Sequence, residues 1–205
     1  MNILAIGAHP DDLEFGCAGA LIKYCQKGHK VYLMILTCGE LGGEKSVRKK
    51  EQIVASKIIG ATKIFWGEYE DTKLPLNRDL ILSIEKCIRE IKPNFIFVNY
   101  YQDTHQDHRN LTLATLSATR YIRNVLFYEV PTTQNFTPNV FIDIKNVLKK
   151  KKKALEAHQS QVLKTNILDL SITEVMVSTA NYRGVQGRVA YAEGFMSERL
   201  FINIE

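Results

Sequence analysis

Short apolar runs closed by small or turn-forming residues alternate along this chain with longer stretches whose apolar positions recur every three or four residues. The first run, Asn2 to Ala8, carries almost no polar side chains and gives way to Pro10, which predicts a buried strand. Phe15 to Tyr24 has helical spacing (Cys17, Ala18, Leu21, Ile22) and stops at Lys27 and Gly28, a C-terminal signal. Val31 to Leu36 predicts a second core strand that opens into a glycine-rich loop, Thr37 to Gly43. A helix is expected from about Val47 to Ile59, closed by Gly60, then a short strand from Lys63 to Trp66 and an acidic loop from Gly67 to Thr72. Leu76 to Ile91 predicts a helix ending before Pro93, and Asn94 to Val98 the next strand. A further helical pattern runs from Leu111 through Leu116 to Ile122.

This alternation predicts an α/β fold, a Rossmann-like three-layer αβα arrangement with a mostly parallel central sheet and right-handed crossovers. Val125 to Val130 and Val140 to Ile144 add strands. The last third is less regular: Lys145 to about Gln159 and Ser171 to about Asn181 predict helices, and Arg199 to Ile204 a closing strand. No repeat or linker divides the sequence, so residues 1–205 are expected to form one domain around one core.

Two polar clusters interrupt the pattern, each directly after a core strand. The first is His9, Pro10, Asp11 and Asp12; the second runs from Asn99 to Arg109 and includes His105, Asp107 and His108 on a strand-to-helix loop. Read alone, the first cluster also fits an Asp-capped turn with His9 merely exposed. Parallel strands would bring both clusters to the carboxyl edge of the sheet, where ligands bind in open α/β folds. His9, Asp12 and His108 would then supply two imidazoles and one carboxylate, a set that leaves open positions on Zn²⁺ or another divalent metal such as Fe²⁺.

Composition removes several alternatives. The net charge of +5 is concentrated at Lys149 to Lys153, inside an amphipathic helical pattern without interleaved aromatics, so no nucleic-acid partner is expected. The four cysteines have no Cys-x-x-Cys spacing and no signal sequence precedes Asn2, which suits a reduced cytoplasm. No apolar stretch approaches membrane-spanning length. Gly7 lacks the dinucleotide fingerprint, and aspartates stand where a pyrophosphate would approach, so NAD binding is not expected. The glycines from Gly39 to Gly43 fit a ligand cradle or a plain mobile loop.

Ala8 to Asp12 together with His105 to His108 resembles the LmbE-like (PIG-L) family of zinc-dependent N-acetylglucosamine deacetylases. The resemblance covers most of the chain, through Thr37 to Glu40, Arg48 to Glu51, the Lys151 to Gln161 region with His158, and Tyr191 to Phe195. Two positions depart from it. Leu13 stands where the family usually has an acidic residue, and Gln106 replaces the usual proline. Neither change removes a type of metal ligand.

The resemblance implies zinc on His9, Asp12 and His108, Asp11 as general base, and His105 at the developing oxyanion and leaving group. Asp107 or Asp103 would orient His105 and raise its pKa. Arg48 is the first candidate for holding substrate, with a helix-surface charge beside Lys49 and Lys50 as the alternative, and Glu40, Asn99 and Tyr100 would line the same pocket. The expected reaction is hydrolysis of an N-acetylated amino sugar or glycoconjugate. Deacylation of a non-sugar amide, or a catalytically silent zinc- or sugar-binding protein, are the alternatives. Relatives in this family often assemble, which leaves a homo-oligomer open.

Overall fold

Alternation within the first strand sets the layers: β1 (Asn2–Gly7) turns Ile3 and Ala5 to one face and Leu4 and Ile6 to the other, all fully buried. The structure is a computed structural model that describes residues 1–202. After β1 come α1 (Asp12–Gly16), α2 (Ala18–Gln26), β2 (Lys30–Thr37), α3 (Lys45–Ile59), β3 (Lys63–Tyr69), α4 (Arg78–Ile91) and β4 (Phe95–Asn99). The chain continues through α5 (Gln106–Ala118), β5 (Val125–Tyr128), β6 (Val140–Asp143), α6 (Leu148–Glu156), α7 (Ile172–Gln186) and β7 (Ala192–Arg199).

The seven strands form one sheet in the order β3-β2-β1-β4-β5-β7-β6. The first five in that order are parallel, and β7 runs antiparallel to both β5 and β6. One core packs Ile3, Ala5, Leu33 and Phe97 under α1, α2, α6 and α7; the other packs Leu4, Ile6, Ile96 and Val98 under α4 and α5. The predicted α/β three-layer architecture is therefore present. Sequence order reverses between β1 and β4, and the loops leaving these two strands enclose a crevice at their carboxyl ends. No helix among the described residues is long and apolar enough to cross a membrane.

β3 runs on to Tyr69, into the expected acidic loop, and α7 on to Gln186; three further expected elements differ. The helix predicted across Phe15 to Tyr24 is broken at Cys17 (φ −143°), because Gly19 and Ala20 donate their amides to the buried Glu193 carboxylate at 2.7 Å each. A free helix N-terminus facing a carboxylate is worth more there than one continuous helix. Lys151 completes that contact, donating to Glu193 and to the Phe15 carbonyl at 2.5 and 2.6 Å. The second difference is α5, which starts at Gln106 rather than Leu111, because His105 caps it: His105 Nδ1 accepts from the Asp107 amide at 3.2 Å. Third, the closing strand is Ala192–Arg199, and the end of the expected Arg199 to Ile204 strand lies outside the described residues.

Gly16 is required by a close approach. A Cβ there would lie 2.1 Å from Cδ2 of the fully buried Tyr128 ring, whose hydroxyl oxygen is 2.9 Å from both the Ile6 carbonyl and Asn99 Oδ1. Gly16→Ala is expected to cost about 1–3 kcal/mol through overpacking, read as a lower urea midpoint at unchanged m-value. An unchanged midpoint would mean that the ring can move.

Candidate metal centre and active-site cleft

The turn after β1 is set by its own side chains and by α3. The His9 amide donates to Asp12 Oδ2 at 2.9 Å, and Asp11 takes φ 93°, a left-handed conformation uncommon for a residue with a side chain. Arg48 holds that strained residue in place. Its guanidinium donates to the carbonyls of Pro10 and Gly39 at 2.7 Å each and to Asp11 Oδ2 at 3.1 Å. Gly39 has φ +63°, and a Cβ there would fall 1.9 Å from Arg48 Nη1, so the glycine-rich loop is shaped to admit this arginine.

His9, Asp12 and His108 converge at the crevice. His9 Nδ1 lies 3.2 Å from His108 Nε2, Asp12 Oδ1 lies 3.3 Å from His108 Nε2, and Asp12 Oδ2 lies 3.7 Å from His9 Nδ1. Donors bonded at about 2.0–2.1 Å to a tetrahedral ion stand about 3.3–3.4 Å apart, so this spacing fits a divalent metal without rearrangement. Each imidazole is backed on its other nitrogen by carboxylates. His9 Nε2 is 3.0 Å from Asp71 Oδ1 and 3.2 Å from Asp107 Oδ2, and His108 Nδ1 is 3.1 Å from Asp103 Oδ2. Such partners fix the ring orientation of a ligating histidine. The His105 ring adds a third imidazole, 4.5 Å centroid to centroid from His9 and 4.8 Å from His108.

Proton affinities follow from this crowding. Burial opposes charge on His108, yet the Asp12 charge and the Asp103 and Asp12 contacts lift its pKa to about 9. Burial also opposes charge on His9, and Asp107, Asp12 and Asp71 together outweigh it. For Asp71 burial acts upward, but His9 and the Leu41 amide bring the pKa down to about 2. Asp11 moves the other way: desolvation raises it above the usual carboxylate range, against the opposing charge of Arg48.

A cleft of about 850 Å³ opens over these groups, floored by His9, Asp11, Asp12, His105 and His108. Its walls include Leu41 and Gly42 of the glycine-rich loop, the strand-end residues Glu129 to Thr133, and the segment between α6 and α7. That segment is tied down. Ser160 donates its amide and hydroxyl to Glu51 at 2.8 and 2.7 Å, and Gln161 and Lys164 both donate to the Gly42 carbonyl.

Several expected site residues take other positions. Asn99 and Tyr100 do not reach the cleft: Asn99 is fully buried against the Tyr128 hydroxyl, and Tyr100 packs among Tyr101, Phe127 and Phe136. Glu40 accepts the Asp71 amide at 2.9 Å instead of lining the cleft. Arg48 does line it, but its bonds go to protein acceptors. Neither the Asp107 nor the Asp103 carboxylate holds the His105 ring, whose Nδ1 meets only the Asp107 backbone amide. Asp107 faces His9 and accepts the Thr72 and Leu74 amides, and Asp103 binds His108, Thr133 and the His105 backbone. The His105 pKa is accordingly lowered rather than raised, by burial and by the charges of His9 and His108.

Two residues at the site, Asp71 and Gln52, were not singled out from the sequence. Asp71 sits in the acidic loop after β3, and Gln52, one helical turn beyond Arg48, accepts the Asp11 amide at 3.4 Å and donates to the buried Glu14 at 2.8 Å. Glu14 in turn lies 3.4 Å from the fully buried His158. The only available signal was spacing: Arg48 and Gln52 share one face of α3, and both are buried.

The chain is similar to several known proteins. The chain is 35% identical over 168 residues to the uncharacterized deacetylase YaiS of Escherichia coli, covering 78% of this chain and 91% of that protein. It is 28% identical over 191 residues to the diacetylchitobiose deacetylase of Thermococcus kodakarensis (78% and 70%), and 22% identical over 237 residues to the 4-oxalmesaconate hydratase of Pseudomonas putida (96% and 88%). The crystal structure of N,N'-diacetylchitobiose deacetylase from Pyrococcus horikoshii superposes with a TM-score of 0.85 at 24% identity, covering 96% of this chain and 83% of that one, which establishes the shared fold. The family model described as GlcNAc-PI de-N-acetylase matches residues 4–119, a span that holds both polar clusters, and the chain belongs to this PIG-L family.

Proposed function

We propose that this PIG-L-family deacetylase hydrolyses the N-acetyl group of an N-acetylglucosamine-type amino sugar, with a divalent cation, zinc first, held by His9 Nδ1, Asp12 and His108 Nε2. The observation that carries the reading is the convergence of those donors at 3.2, 3.3 and 3.7 Å on the floor of a cleft wide enough for a sugar. A relative that acts on diacetylchitobiose supports an acetylated amino sugar as the substrate class. A bound cation of this kind polarises the acetyl carbonyl and makes water a stronger acid.

The remaining work falls to the chain. Asp11 takes the proton of the attacking water: its carboxylate borders the cleft and lies against Arg48, outside the donor set. Its raised pKa suits a base that must later give the proton up. As the new C–O bond forms and the C–N bond breaks, that proton passes to the amine, which leaves poorly without it. Arg48 is a positioning residue that keeps Asp11 in its left-handed turn.

His105 stabilises the oxyanion as a neutral donor. Its Nδ1 accepts the Asp107 amide, so the neutral ring carries its proton on Nε2. His105→Ala is expected to lower kcat about 10²–10³-fold, the usual cost of losing one oxyanion donor, while metal content stays at one per chain. Loss of metal along with activity would make His105 a ligand and redraw the donor set.

The direct test is acetate release from a panel of acetylated amino sugars by protein loaded with zinc or, without oxygen, ferrous iron. A hydratase adds water across a double bond and frees no acetate, so the assay separates the two activities found among the relatives. Full metal occupancy with no acetate from any amino sugar would defeat the reading. The four cysteines are free and three are buried, which fits our placement of the enzyme in the reducing cytoplasm.

A further inference from the structure

Beside the candidate donors, the cleft has a side alcove of about 120 Å³. Asp11 and Asp12 border it, and its walls are Phe15, Val130, Pro131, Leu155 and Ile172. Gln161 and Lys164 are the other polar side chains along it. All of these residues except Leu155 also line the main cleft, so Leu155 of α6, only 1% exposed, is the wall that belongs to the alcove alone. Five apolar side chains thus wall the alcove, beside the proposed general base.

An amide undergoing hydrolysis has two substituents, and the site offers two spaces of unequal size. The amine carrier is large and polar. It belongs in the cleft of about 850 Å³, where threonine hydroxyls and backbone groups can meet it. A pyranose ring does not fit the alcove: a cavity of roughly 150 Å³ is filled by a benzene molecule, and a sugar hydroxyl against Leu155 would give up water without a partner. A single water needs only about 10–15 Å³ of such space. The methyl of an acetyl group would leave most of the alcove unfilled.

We infer that this alcove is an acyl pocket, and that the enzyme hydrolyses N-acyl amino sugars with straight chains of about four carbons at least as well as N-acetyl ones. The inference rests on the deacylating role of the site and extends it to the acyl group. The chemistry is unchanged: water oxygen bonds to the acyl carbon, the C–N bond breaks, the amine leaves protonated and the fatty acid leaves as its carboxylate. What changes is selection, since each methylene placed against Phe15, Leu155 and Ile172 leaves water for an apolar wall.

Two readouts test it. In the first, calorimetry measures binding of acetate, propionate, butyrate, pentanoate and hexanoate to the metal-loaded protein. Affinity should rise about fourfold per added methylene as far as butyrate, the factor expected for burying one such group, and stop rising beyond pentanoate. In the second, kcat/KM is compared for N-acetyl-, N-butyryl- and N-hexanoylglucosamine. Leu155→Phe should lower the butyryl-to-acetyl ratio at least tenfold, and Leu155→Ala should move the optimum to a longer chain. Binding independent of chain length, or a wild-type kcat/KM higher for acetyl than for butyryl, would overturn the acyl pocket even if either variant failed to fold. Failure of the deacetylase reading looks different: the carboxylate series would still show its chain-length dependence while no amide was cleaved.

Discussion

His108→Ala protein is expected to be purified with almost no divalent metal and no measurable deacetylase activity, while its thermal unfolding remains a single transition. Removing one of three donors leaves His9 and Asp12 with their mutual spacing but no third anchor. The loss should exceed the 10–100-fold in affinity typical of deleting a residue that only backs a ligand. Asp71→Asn provides that comparison. Its carboxylate touches His9 Nε2 at 3.0 Å, so its removal should weaken metal binding within that smaller range and leave the donors themselves in place. Metal analysis after dialysis against a graded chelator separates the two. A His108→Ala protein that keeps a full complement of metal would mean that His9, Asp71 and Asp107, the other convergent group, hold it.

Asp11→Asn should retain the metal and lose about 10²–10⁴-fold in kcat, the usual worth of general acid–base catalysis. The amide has nearly the same shape and can still meet Arg48, but it cannot take a proton from water. The pH profile sharpens the expectation. Asp11 works only when deprotonated, and its pKa is raised in the folded chain, so wild-type kcat/KM should fall as pH drops through a value above the ordinary ~3.9 of an aspartate. The residual activity of Asp11→Asn should lack that limb. Near-normal turnover with intact metal would assign the base elsewhere.

The two polar clusters were legible because each follows an apolar run that can only be a core strand, and sheet topology then decides where they meet. The α/β class followed from the same alternation. What could not be read was which partners the other polar side chains would find. Arg48 looks like a substrate clamp or a surface charge in sequence, yet its bonds go to the Pro10 and Gly39 carbonyls, acceptors created only once two loops have folded. Asn99 and Tyr100 stand beside the site in sequence, but the pleat and the aromatic packing around Phe127 turn them into the core. Asp71 looks like one more solvated acid in an acidic loop, although it backs His9, which lies far earlier in the chain.

The missed strand has a similar cause. Glu193 interrupts the apolar pattern of Ala192–Arg199, and only its pairing with Lys151 and the α2 amides makes a carboxylate tolerable there. That same distant contact breaks the helix at Cys17. One buried ion pair thus hides two features from any reading based on periodicity.

The proposed metal donors come from opposite ends of a long interval, His9 and His108 being 99 residues apart. A domain generally folds as a unit, and a nascent chain that ends before α5 carries only His9 and Asp12 of the three donors. Two donors on a short turn make a poor chelator, so cation capture waits until β4 has paired with β1 and α5 has docked. From then on the ion adds its binding free energy to the finished sheet alone. Metallation in this chain would act as an assembly checkpoint, sealing the two halves of the sheet together only after both have been made.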